Sequence, residues 1–255
     1  MGTGAGCGVP AFFCDCPACE EARRNPRARR GDCGVMVTGE TRTLIDTPPD
    51  IRQYFLREGV SYVDDLVFTH WHYDHVGGLG ELEYMVQLKT KAPLATYASP
   101  YTLDSIAREF GYMTYCLATS PVEPFDTFAI DGVRYTALPV KHAPGTYGYL
   151  IETADTKLFY ASDTGALPPE TREAVRGVDI LAMDATYWKH NGYPESHHSI
   201  QECIEEGLEL DAGKVYLTHM CMHYAEPITL AELEEYLKQY EGRVEPAADG
   251  LSFAI

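Results

Sequence analysis

The sequence predicts a layered α/β fold, with sheets inside and helices packed outside, rather than a doubly wound one. Three observations carry this reading. Short apolar strands and helical patterns are mixed without the strict alternation that a parallel doubly wound sheet needs. Several strands run straight into polar residues at their ends. And 255 residues, 45% of them hydrophobic, are enough to bury a large core.

The elements follow in order. Residues 33–47 (CGVMVTGETRTLIDT) read as a β-hairpin with Gly39-Glu40 at its turn. DLVFT (65–69) is a short apolar strand that enters a histidine-rich loop. LATYA (94–98), residues 128–140 and YGYLIET (147–153) are strands, the second broken by a turn at Asp131-Gly132. LFYASD (158–163), VDILAMDA (178–185) and KVYLTH (214–219) are strands that end on polar residues. Helical patterns cover 49–57, 80–88, 100–110, 168–175, 199–210 and 229–240. Ser199 reads as an N-cap, with Glu202 three residues on completing a capping box.

Charge and cysteine content narrow the function classes. Twenty basic against 38 acidic residues give a formal charge of −18, which argues against a protein that grips nucleic-acid backbone. The opening MGTGAGCGVP has neither a basic nor an apolar signal region, and Gly6 breaks the myristoylation pattern. No stretch approaches the roughly 18 apolar residues of a membrane span. A cytoplasmic, reducing location is therefore expected, where the crowded cysteines among the eight point to metal rather than disulfides. The glycines of residues 2–8 lack the Lys-Ser/Thr of a nucleotide loop and read as a tight turn.

The strongest signal is Thr69-His70-Trp71-His72-Tyr73-Asp74-His75 at the end of a strand. Residues two apart in extended chain point the same way, so His70 and His72 can converge on one point. A turn immediately after would aim Asp74 and His75 at a second. Three imidazoles and a carboxylate suit Zn²⁺, Mn²⁺ or Fe²⁺. The ends of later strands supply His142, Asp163 and His219. Together they make a two-metal set in which Asp163 could bridge.

This pattern, His70-x-His72-x-Asp74-His75 followed by His142, Asp163 and His219, resembles the metallo-β-lactamase superfamily. The resemblance implies a four-layer αββα sandwich with a dinuclear centre at one edge. It assigns His70, His72 and His142 to one ion, Asp74, His75 and His219 to the other, and Asp163 to both. Two Lewis-acidic cations would make hydroxide available near neutral pH and offset charge on an attacked phosphoryl or acyl group. They would also let an acidic protein bind an anionic substrate.

A second cluster, Cys14-Asp-Cys16-Pro-Ala-Cys19, has spacing suited to three thiolates around one structural Zn²⁺, with His223 or Cys221 as the fourth ligand. The basic stretch between Arg23 and Arg30 flanks it. Residues 2–30, with TLIDT (43–47), TYGYLIET (146–153) and SDTGALP (162–168), resemble the PhnP family of cyclic phosphodiesterases of the carbon–phosphorus lyase pathway. That resemblance implies one domain over 1–255, with 14–30 as a zinc-knuckle insertion. It implies hydrolysis of 5-phospho-α-D-ribose 1,2-cyclic phosphate, a small phosphate ester, by two active-site ions (Mn²⁺ or Zn²⁺). His197 and Asp74 are its candidate catalytic residues, with His198 the rival to His197. The family places a strand before the glycine turn; either that strand is lost here, exposing a sheet edge and altering stability or oligomerisation, or the true start lies upstream, and a homodimer is the oligomer expected if the protein associates.

Other readings share the motif. A transfer-RNA 3′-processing nuclease has nearly the same histidines, but the −18 charge counts against it. A thioester hydrolase has no need of the knuckle. A non-catalytic accessory protein, like the knuckle-bearing relative in pyrroloquinoline quinone synthesis, typically lacks part of the ligand set. Tyr187, Trp188, Lys189 and His190 either line the pocket or form a solvated loop.

Overall fold

The computed structural model describes residues 1–223 and 226–255. Five strands form a first sheet: β1 (Val35–Thr38), β2 (Arg42–Ile45), β3 (Asp65–Val67), β4 (Leu94–Ala98) and β5 (Leu117–Pro121), neighbours in that order. Seven form a second: β6 (Thr127–Ile130), β7 (Val133–Pro139), β8 (Tyr147–Glu152), β9 (Lys157–Ala161), β10 (Ile180–Asp184), β11 (Lys214–Thr218) and β12 (Val244–Pro246), again in sequence order. The helices are α1 (Pro17–Arg24), α2 (Ile51–Glu58), α3 (Tyr73–Val76), α4 (Glu81–Met85), α5 (Pro100–Glu109), α6 (Pro169–Ala174), α7 (Ile200–Glu209) and α8 (Leu230–Leu237).

Alternation along the strands sorts the apolar residues into three layers of core. Leu44 and Leu66 face outward to Ile51, Tyr54, Leu82 and Ile106 of the helices over the first sheet. Their neighbours Ile45 and Val67 face inward, to Tyr135, Tyr149, Ile151 and Tyr160 of the second sheet. On the far side Phe159, Leu181, Met183 and Val215 meet Ile200, Ile204, Leu230 and Leu233 of α7 and α8. Each sheet is therefore apolar on both faces, which only a helix–sheet–sheet–helix stack can satisfy.

The strand directions fix where chemistry can collect. β7 and β9 are both antiparallel to β8, so they run the same way, and β9, β10 and β11 pair in parallel. The C-terminal ends of β7, β9, β10 and β11 thus open on one edge of the second sheet.

Five elements depart from the sequence reading. The 14–30 segment contains α1, which Pro17 opens and whose Cys- and charge-rich PACEEARR disguises a helix. α3 replaces a plain turn after His72. β5 and β12 were not legible: β5 (LATSP) has no apolar alternation and is mostly exposed, and β12 spans only three residues. The first turns of α4 continue as a π-helical turn over Val86–Thr90. β1 is an end strand of the first sheet and borders a cavity of about 500 Å³ lined also by Tyr160, Tyr216 and Phe253. Among the described residues no helix is long and apolar enough to cross a membrane.

The Ser199–Glu202 capping box is present at α7. Ser199→Ala should lower stability by about 1 kcal/mol, read as a shift of the urea midpoint at unchanged slope.

Candidate metal centre

The histidine loop leaves β3 and is locked from behind. Asp46, just past β2, is fully buried in a left-handed conformation, with φ of 64°. It accepts hydrogen bonds from the Thr69 N–H (2.8 Å) and the Thr69 hydroxyl (2.7 Å), and holds His75 Nδ1 at 2.9 Å. The loop is thereby fixed before α3 swings Asp74 and His75 away from His70 and His72. Gly6 packs against this turn: a Cβ there would stand 2.9 Å from Asp74 Oδ2. The glycine turn is thus a close approach as well as a bend.

Two sets of donor atoms result, each within 4.8 Å of one another: His70, His72 and His142, and Asp74, His75, Asp163 and His219. In the first, His70 Nε2 and His142 Nε2 lie 3.0 and 3.1 Å from His72 Nδ1. In the second, Asp163 lies 3.1 Å from both His75 Nε2 and His219 Nε2, and Asp74 Oδ2 lies 3.4 Å from each. Asp163 Oδ1 is also 3.8 Å from His142 Nε2, so this carboxylate reaches both sets. All seven side chains named from the sequence are brought together.

The second nitrogen of each oriented ring has its own partner. His70 Nδ1 meets the Thr69 hydroxyl at 3.0 Å, His142 Nδ1 the Ser196 carbonyl at 2.9 Å, and His219 Nδ1 the Thr186 hydroxyl at 2.9 Å. Such outer partners fix tautomer and ring angle, which a metal-ligand array requires.

The charges differ between the sets. Burial pushes His70 well below the usual histidine range, and nearby His75 adds to this; burial also lowers His72 and His142. The lowering favours the neutral form of these three rings, the one that donates a lone pair. Burial would also depress His75 and His219, but Asp163 and Asp74 overcome it, raising His75 well above its ordinary value and His219 to about 9. Burial would raise Asp74 and Asp163, yet those same imidazoliums hold both carboxyls low.

His197 and His198 part company. His197 Nδ1 is 2.7 Å from Asp184 Oδ2, and its ring stacks on His219 at 5.5 Å and meets His142 edge-on at 4.9 Å. Its Nε2 is thereby the nitrogen left for a ligand. His198 turns into the protein, with Nδ1 on the Thr164 carbonyl (2.7 Å) and Nε2 on Glu206 (2.8 Å). Tyr187 sits 6.2 Å from the His197 ring, while Trp188 packs on Tyr236 and Lys189 lies over Trp188, so of that loop Tyr187 faces the centre.

The cysteine cluster is partly as expected. Cys14, Cys19 and His223 bring their donor atoms within 4.8 Å of one another. Cys16, the N-cap of α1, hydrogen-bonds Cys14 and stands beside Cys19 without joining that group. Cys221 groups with Cys7 and His223 instead, so His223 rather than Cys221 faces the cluster. Arg23 braces the loop, donating to the Cys14 carbonyl at 2.6 Å.

Two residues were missed from sequence. Asp46 and Asp184 each end a strand, as Asp163 does; that shared position was the available signal. Asp184 is fully buried and also accepts from the Thr186 hydroxyl at 2.7 Å.

The donor set fits divalent cations. His75 Nε2 and Asp163 Oδ2 are buried polar atoms that face each other at 3.1 Å with no well-aligned hydrogen bond among the described residues, and burying such atoms poorly paired is costly. The model of the β-lactamase superfamily domain matches residues 41–220. The chain belongs to the metallo-β-lactamase superfamily.

Within the superfamily, the fold superposes on a crystal structure described as a new diphosphatase from the PhnP family. The TM-score is 0.85 at 29% identity, over 98% of this chain and 93% of that one. A coenzyme PQQ synthesis protein B from Methylococcus capsulatus is 25% identical over 100% of this chain and 98% of its own length. An octanoyltransferase from Porphyromonas gingivalis is 26% identical over 100% of this chain, which spans 51% of that protein's length.

His198 offers a stability test separate from metal binding. Burial acts to lower its pKa, but the Glu206 hydrogen bond and the Asp184 charge raise it above the ordinary 6.5. Burial acts to raise Glu206, yet the His198 bond pulls it below its ordinary 4.5. The His198 contribution is fully present below 6.5 and is lost as pH rises through the raised folded value. That of Glu206 is present above 4.5 and is lost as pH falls through the depressed one. Glu206→Gln should therefore cost about 3 kcal/mol near pH 6, by urea unfolding, with the gap to wild type narrowing at alkaline pH.

Proposed function

We propose that this metallo-β-lactamase superfamily member is a metal-dependent phosphoric diester hydrolase. Its substrate class is a small cyclic phosphate, 5-phospho-α-D-ribose 1,2-cyclic phosphate or a close analogue. The observation that carries the reading is the convergence of seven donor side chains, with Asp163 reaching both sets, beside a histidine set on a buried carboxylate. His70, His72 and His142 would hold one divalent ion and Asp74, His75 and His219 the other, with Asp163 shared. Bound there, two such ions (Mn²⁺ or Zn²⁺) supply Lewis acidity and an ionised water near neutral pH.

The chain's own groups do the rest. Asp184 accepts a hydrogen bond from the His197 Nδ1–H and so orients the ring; carrying a proton on both nitrogens, the ring would give its Nε2 proton to the departing sugar oxygen and be left neutral, with Nδ1–H still on Asp184. The Tyr187 ring flanks His197 and limits the space around a substrate's organic part. Lys141, the cation nearest His142 in sequence, is paired with Glu195, so an anionic substrate would draw its attraction from the bound cations. The −18 charge supports a small ester over long nucleic acid. A cytoplasmic setting and a knuckle zinc on the cysteine cluster, Cys14 and Cys19 with Cys16 beside them, complete the proposal; His223 lies within reach of that ion and of Cys7.

A second reading, hydrolysis of a small diphosphate ester, is favoured by what the PhnP-family neighbour is called. It needs the same centre. The accessory role suggested by relatives in PQQ synthesis would not need His197 held for proton transfer.

The test is a screen of Mn²⁺-loaded protein against the ribosyl cyclic phosphate, 2′,3′-cyclic nucleotides, bis-p-nitrophenyl phosphate and diphosphate esters, with product identification. Turnover of a cyclic phosphate is expected; turnover of none would overturn the proposal. Chelation should abolish activity and Mn²⁺ should restore it. His197→Ala should lower kcat by about 10²–10⁴-fold at unchanged metal content, whereas His198→Gln should chiefly lower stability.

A further inference from the structure

Cys7 lies in the glycine turn, outside the C-x-C-x-x-C cluster. Its Sγ stands 3.8 Å from Cys221 Sγ and 3.1 Å from His223 Nε2, and the three donor atoms form a group of their own. Cys221 and His223 are buried. Two thiolates on one tetrahedral cation, with bonds of about 2.3 Å, stand about 3.8 Å apart, and a thiolate and an imidazole about 3.5 Å. The sulfur pair already has that spacing. The nitrogen–sulfur distance is contracted by about 0.4 Å, in the same direction as the 3.0 and 3.1 Å between the rings of His70, His72 and His142, where about 3.3 Å is expected around zinc.

His223 also groups with Cys14 and Cys19. Five donors, Cys7, Cys14, Cys19, Cys221 and His223, fall in the two groups, and Cys16 beside Cys14 and Cys19 makes a sixth, where a single knuckle ion needs four.

We propose that Cys7 and Cys221, with His223, form a second thiolate site, so that this six-donor cluster takes two zinc-class cations rather than one. On binding, each thiol gives up its proton to solvent and forms a sulfur–metal bond, with no change of oxidation state. The ion would tie the glycine turn, whose Gly6 packs on Asp74, to the chain leaving β11 two residues after His219. The site would brace the neighbouring catalytic centre without contributing a ligand to it.

The test counts metal rather than turnover. Reduced full-length protein is stripped and titrated with Zn²⁺, and in parallel with Co²⁺ to read the thiolate-to-cobalt absorption. The Cys7→Ser, Cys221→Ser double variant should bind one zinc fewer per chain and lose part of that absorption, while the remainder persists from the knuckle. Equal zinc content and an unchanged cobalt spectrum would overturn the proposal. A second measurement needs no variant: in the wild type, Zn²⁺ should slow alkylation of Cys7 at least tenfold, and chelation should restore it. Alkylation of Cys7 at one rate with and without Zn²⁺, or a Cys7–Cys221 disulfide in protein with one zinc in its cluster, would equally overturn it.

Discussion

One buried carboxylate governs this edge of the molecule. Asp163 is 3% exposed, and its oxygens stand against His75, His219 and His142. An anion held there without water must be compensated. In the protein alone the compensation comes from the raised proton affinities of His75 and His219. In the loaded centre, cations would replace those protons. The three-histidine set needs no such exchange, because burial already favours the neutral form of its rings. The two halves of the centre therefore differ in how binding couples to protons: the Asp74 side must release them and the His70 side need not.

The fold makes this arrangement affordable by spreading it over elements that do not move independently. β7, β9, β10 and β11 run the same way, so His142, Asp163, Asp184 and His219 arrive on one edge from a single hydrogen-bonded sheet. The histidine loop comes from the other sheet, and Asp46 pins it by bonding Thr69 and His75 together. The rings of His70, His75, His142 and His219 are each held by a partner on the far nitrogen. A donor set placed this way is pre-organised, so binding energy need not go into ordering it.

Legibility followed chemistry. The donors His70, His72, His142, Asp163 and His219 were readable because strand ends and i, i+2 spacing are local facts, and the strands around them were strongly apolar. The two-sheet stack followed from the superfamily resemblance, and the alternation of Leu44 with Ile45 and Leu66 with Val67 gives it a physical basis. Asp46 and Asp184 share with Asp163 a position at a strand end, but that position alone does not distinguish a carboxylate that orients an imidazole from one that caps a strand. His197 and His198 were inseparable in sequence; only the Glu206 side of α7 decides which ring turns inward. The grouping of Cys7 with Cys221 joins residues 214 apart in the chain, and no spacing rule reaches that far. α1 was hidden because its buried face consists of alanines and a cysteine, Ala18, Cys19 and Ala22, too small to show a hydrophobic period.

The claim that Asp163 unites the two donor sets is tested most directly by titrating Mn²⁺ into metal-stripped wild type and Asp163→Asn protein by calorimetry. A shared carboxylate predicts that the two binding events weaken together in the variant, each by on the order of 100-fold. A variant that keeps one site at wild-type affinity while losing the other would contradict it.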